Sequence, residues 1–224
     1  MTSFYVVPKW FYGIDVALEI AFALITMFVA IVAFKMFKIT DEEQFEFFGV
    51  SFGFISFAYF LWAIINLFVV SQLTNGLRGL TLYELHFFSF LGVFLFVFFF
   101  LVGLSGLIYT IFKVEDHRMY ALLFILILLL VTLGANRALT FYYTSLVLLG
   151  FLLTHYGLEY RKKPTRSKFL VFIAFLLLFI SHAGFLLSGQ HYVFYVLGHL
   201  FNLTAYIIIL VNLILVLKHA QKKK

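Results

Sequence analysis

The chain has 224 residues, 64% of them hydrophobic and only 12% charged, whereas soluble domains carry roughly a quarter charged residues. That composition implies a single polytopic helical bundle. The absence of cysteine excludes disulfides, thiolate metal sites, cysteine-held iron–sulfur clusters, a cysteine nucleophile and a lipobox-type anchor. The net charge of +6 does not point to nucleic acid, because the excess lies in short loops and the tail.

The start, MTSFYVVPKWFYG, lacks the basic n-region and cleavage site of a signal peptide, so the chain is expected to be intact. Seven apolar runs follow, at about 12–34, 46–70, 82–112, 119–134, 139–158, 168–188 and 192–217. They predict an all-α fold: a seven-transmembrane-helix bundle forming one domain over 1–224. The third run is long enough to tilt or project. The fourth is short, and 119–158 allows another partition around Gly134-Ala135-Asn136-Arg137. The pair Gly49-xxx-Gly53 in the second run suits either close helix approach or ordinary small-residue packing.

Charge sets the expected orientation. With the C-terminus in the cytoplasm and seven crossings, thirteen of the sixteen Lys and Arg residues fall on the cytoplasmic side, leaving only Lys9, Arg78 and Arg137 outside. The positive-inside rule asks for that asymmetry, and an even helix count would split adjacent basic loops between the two sides. The expected location is therefore the cell membrane, multi-pass, with the N-terminus outside. The expected partners are the bilayer's anionic headgroups, met by RKKPTRSK and the Lys tail, and a separate cytoplasmic or membrane partner; nucleic acid is not expected.

Costly polar residues fall in the same half of several runs. In the first, Asp15, Glu19, Phe22 and Thr26 share one helix face; in the second, Tyr59, Trp62 and Asn66 do. The third carries Glu84 and His86 near its start, and the sixth carries His182 near its end. The seventh carries the stripe Tyr195, His199, Asn202 and Tyr206, spaced i, i+4, i+7, i+11. At about 1.5 Å per residue, His86, His182 and His199 come to similar depths, roughly 6–10 Å inside the outer boundary.

An ionisable group in hydrocarbon costs about 2.5–3.5 kcal/mol on insertion scales, so several at one level are expected to face each other or a wet cavity. Neutral imidazole binds transition metals and haem iron, and a carboxylate completes or orients such a set. His86, His182 and His199 with Glu19 are thus candidate ligands for Zn, Fe or Cu, and two of the histidines are candidate axial ligands of a b-type haem. Glu84 and His86 are two residues apart and point in different directions, which makes Glu19 the better companion. A third possibility is a small-ligand pocket lined by Tyr59, Trp62, Tyr195 and Asn202 beside His199. Interhelical hydrogen bonding is the structural alternative to all of these.

The seven-helix plan with an outward N-terminus is similar to that of microbial rhodopsins. The last run, however, has no lysine before Lys218, so no retinal Schiff base is available. The three histidines resemble those of the membrane hydrolases that include alkaline ceramidases and adiponectin-type receptors, which hold zinc with three His. The HxxxH pair of that superfamily's last helix is not matched, because Tyr195 stands four residues before His199 and His191 eight. The whole pattern also resembles the seven-helix sensor regions of prokaryotic signalling proteins, although no kinase or cyclase segment follows. None of these amounts to membership. The preferred expectation is a binding or sensor protein holding a metal ion, haem or small ligand. The alternatives are a metal-dependent hydrolase acting on lipid and a small transporter or proton-relay subunit, so the sequence leaves open whether the chain is an enzyme.

Overall fold

The computed structural model describes residues 8–11, 13–74, 82–112, 117–134 and 136–222; within these, the side chains at 9, 69–74, 82–83, 85–86 and 117–120 lie outside the description. A short 3-10 turn, Lys9–Phe11, precedes seven helices: α1 Ile14–Thr40, α2 Glu43–Thr74, α3 Leu82–Phe112, α4 His117–Leu133, α5 Arg137–Lys162, α6 Arg166–Leu187 and α7 Tyr192–Gln221. No strand occurs among the described residues. Six helices are long and apolar enough to cross a membrane, which makes this a multi-pass membrane protein; α4, with its apolar stretch Ala121–Leu133, is the shorter one.

The boundaries have local causes. Gly13 adopts φ 87°, a left-handed conformation that glycine tolerates, and the Asp15 carboxylate then accepts from the N–H groups of Gly13 and Val16, both at 2.9 Å. Asp15 therefore serves the start of α1. The α1–α2 turn closes with Asp41 at φ 58° donating its N–H to Phe37 O. Asn136 Oδ1, Thr165 Oγ1 and His191 Nδ1 accept from the first turns of α5, α6 and α7.

The helices close into a ring. In order round it, α1 packs on α2, α2 on α3, α3 on α5, α5 on α6, α6 on α7, and α7 back on α1. Helix α4 stands outside, against α3 and α5, and among its described side chains buries only Ile127 and Val131. The starts of α1, α3, α5 and α7 meet the ends of α2 and α6 around one cavity. Around a second cavity at the far end, the starts of α2 and α6 meet the ends of α3, α5 and α7. Thus α3 and α5 run parallel, and α4 has to return the chain between them; its 17 residues reach about 25 Å. The basic segment Arg161–Lys168 and Lys218 belong to the second end, called here the basic end.

Both faces of each helix are apolar, as a lipid surround allows. On α2, Phe57, Phe60, Ile64 and Leu67 point outward, while Phe52, Ile55 and Ala58 are buried. Lipid offers no hydrophobic gain for helix association, so packing and interhelical hydrogen bonds must hold the ring. Ser56 Oγ donates to Ala23 O across α2–α1 at 2.8 Å, and Ser181 Oγ donates to Gly198 O across α6–α7 at 2.8 Å. Close approach occurs on α3: a Cβ at Gly103 would lie 2.7 Å from the Ser51 backbone oxygen, whereas one at Gly53 would meet nothing within 4 Å. The α2 pair Gly49-xxx-Gly53 is therefore not what lets α3 in.

Candidate functional site

The cavity opposite the basic end has a volume of about 160 Å³. Its walls include Glu19 from α1, Tyr59 and Trp62 from α2, His182 from α6, and Tyr195, His199 and Asn202 from α7. Of the candidate metal ligands and pocket residues expected from the sequence, all but His86 line this cavity, whereas Asp15, Thr26, Asn66, Glu84 and Tyr206 are not among its walls. His86 falls within α3, but its side chain lies outside the described residues.

His199 is the centre of the arrangement. It is 5% exposed, and neither ring nitrogen has a hydrogen-bond partner among the described residues. Four aromatic rings enclose it. Phe22 stacks nearly parallel at 5.9 Å, while Tyr195 at 4.7 Å and Phe185 at 5.0 Å approach edge-on. Phe11 of the 3-10 turn closes the cage at 5.7 Å, its own N–H donating to Pro8 O. Gly198 makes the Phe185 approach possible, since a Cβ there would lie 2.8 Å from that ring.

One turn further along α7, Asn202 Nδ2 donates to Tyr59 Oη at 3.3 Å, while Asn202 Oδ1 is buried with no partner among the described residues. The Tyr59 and Tyr206 hydroxyls are 3.1 Å apart and hydrogen-bonded, so the α7 stripe is tied to α2 in the core. Glu19, 4% exposed, accepts from Asn66 Nδ2 at 3.0 Å on Oε1 and 2.9 Å on Oε2. No cation pairs with it among the described residues. Trp62 stands on the neighbouring wall against Phe96, ring centroids 5.4 Å apart.

His182 is different. Its Nδ1–H donates to Leu178 O at 2.9 Å, one turn back on α6, because a carbonyl can only accept. The ring packs against Phe100 and Phe141 at 5.6 and 5.8 Å. Both histidine rings pack against Phe185, with centroids 6.3 Å away for His182 and 5.0 Å for His199. Among the described residues, no group of three His, Cys, Asp or Glu side chains is placed to hold a metal. His86, a member of the metal set and of the possible haem pairs expected from the sequence, has its side chain outside the described residues.

The sequence reading missed Phe11, Phe185, Phe141 and Tyr142. In a chain with 33 phenylalanines, nothing distinguishes a cavity-lining ring from a lipid-facing one. Comparison with protein-family models, curated proteins and solved structures finds no match for this chain. The site has to be interpreted from its own geometry.

Proposed function

We propose that this chain is a seven-span protein of the cell membrane that binds a small, ring-sized organic ligand in the outer half of its bundle. The N-terminus is outside and the C-terminus in the cytoplasm. The basic loops and tail at one end of the ring favour that orientation, as does the parallel course of α3 and α5, which calls for α4 as a return crossing.

The observation that carries the binding function is His199, buried inside a cavity with neither nitrogen partnered among the described residues. Buried polar groups in native proteins are nearly always paired, and an unpaired one costs about 1–3 kcal/mol. A neutral imidazole offers one donor and one acceptor, and Asn202 Oδ1 offers a second acceptor. A cavity of about 160 Å³ matches the size that admits a benzene-like ring. The fitting ligand is therefore a flat, mostly apolar molecule with one or two hydrogen-bonding groups, held between Phe22 and Phe185. A small-molecule pocket uses this division of labour, apolar walls with few polar points.

Fluorine NMR on the purified full chain tests the proposal with 4-fluorophenol, 4-fluorobenzamide and fluorobenzene as probes. At least one polar probe should bind saturably and more tightly than fluorobenzene, and His199→Phe should weaken it about tenfold. Equal binding of all three probes, or binding indifferent to His199→Phe, would overturn the assignment.

A further inference from the structure

The cavity at the basic end is larger, about 590 Å³, and is separate from the His199 site. Four of its polar groups share one level. Ser181 on α6 contacts Gly198 on α7, and these helices run antiparallel. Counting fourteen residues towards the basic end from that contact reaches Ser167 on α6 and Asn212 on α7. Both line the cavity, as do Lys168 and Glu159 beside them.

At that level, the Glu159 carboxylate is already taken. Lys168 Nζ donates to its Oε2 at 2.9 Å and Lys162 Nζ to its Oε1 at 3.1 Å. Two ammonium groups on one carboxylate leave a positive mouth. Across from it Asn212 is 6% exposed, and its Oδ1 has no partner among the described residues. Below this level Tyr156 stacks on Phe175 with centroids 4.9 Å apart and planes 4° from parallel, Ile209 and Leu213 add apolar wall, and His155 and Thr110 also line the cavity.

We propose that this cavity is a second binding site, for an anionic amphiphile. Its hydrocarbon chain lies on Tyr156 and Phe175. Its phosphate or carboxylate meets Lys168, with Lys162 outside the mouth adding positive charge. A hydroxyl or amine in its head donates to Asn212 Oδ1. Each part answers a feature of the cavity: apolar depth, excess positive charge, and a buried acceptor without a donor. A lipid of the surrounding bilayer and a soluble single-chain amphiphile both have this chemistry.

The test uses the full chain, purified in a mild neutral detergent and examined by native mass spectrometry. Oleoyl-lysophosphatidylglycerol should bind at one per chain, at least tenfold tighter than oleoyl-lysophosphatidylcholine, which has no net charge, and than glycerol 3-phosphate, which has no chain. Asn212→Leu and Lys168→Met should each weaken it about tenfold, and Lys168→Arg should retain it. An anionic diacyl lipid carried through purification at one per chain would mark the bilayer as the source. Its absence, with lysophosphatidylglycerol still binding, would mark a soluble amphiphile. Equal binding of the two lysolipids, or no binding of either, overturns the proposal on the unaltered protein even where a variant fails to fold. Unchanged binding by a folded Asn212→Leu variant would do the same.

Discussion

Replacing Asn66 with leucine strips the Glu19 carboxyl of the 3.0 and 2.9 Å hydrogen bonds from Asn66, with Trp62 left beside it, while leaving it 4% exposed. Two interhelical bonds at the membrane average of about 0.6 kcal/mol each set a floor near ~1.2 kcal/mol. Bonds to a carboxylate are worth about 1.5–3 kcal/mol, and a buried group left without its partner costs ~1–3 kcal/mol. We expect Asn66→Leu to lose about 2–3 kcal/mol, which at ~2–4 °C per kcal/mol for a chain of this size lowers the melting temperature by roughly 5–10 °C. Glu19→Leu removes the costly group itself, and the double variant Glu19→Leu/Asn66→Leu should recover most of what Asn66→Leu loses, because removing both partners is nearly neutral. Thermal unfolding of the four proteins in detergent, followed by circular dichroism, gives the coupling energy directly. If Asn66→Leu melts with the parent, or if the two single effects simply add, the pair is not holding α1 to α2.

Other outcomes follow from the same contacts. Tyr59→Phe removes the 3.1 Å bond to Tyr206 and also the acceptor for Asn202 Nδ2, so it should cost about 1–2 kcal/mol in the same melt, whereas Tyr206→Phe should cost less. Gly103→Ala drives a Cβ into the Ser51 carbonyl at 2.7 Å and should destabilise by ~1–3 kcal/mol, while Gly53→Ala, facing open space, should be neutral or stabilise by up to about 1 kcal/mol. Asp15→Ala should cost about 0.5–2 kcal/mol and speed amide exchange in the first turn of α1, because two N–H groups lose their acceptor.

The helices were legible because apolar runs long enough to cross a bilayer leave little choice of structure. The runs end short of the helices at charged termini. Arg137 and Lys162 belong to α5, and Lys218 to α7, since backbone hydrogen bonding continues after hydrophobicity has stopped. The His199 site was legible for a different reason: polar side chains in hydrocarbon must find one another, and helical spacing put Tyr195, His199, Asn202 and Tyr206 on one face. Which of them would be satisfied was not readable. His182 spends a proton on its own backbone, whereas His199 has no hydrogen-bond partner among the described residues. The basic-end cavity left no trace, because Asn212 near the end of an apolar run looks like an ordinary boundary residue. The tight α2–α3 approach was hidden too, since Gly103 sits in no small-residue motif.

The seam of the ring, where α7 meets α1, has a consequence for biosynthesis. Helices α1 and α7 face each other across the His199 cavity, so the pocket exists only once α7 has joined α1. Glu19 would otherwise stay unpaired until α7 is made. Asn66, delivered by the very next helix, and the Ser56 bond to Ala23 make the opening hairpin self-sufficient from the start. The carboxyl is thus chaperoned by its sequence neighbour long before α7 arrives with His199.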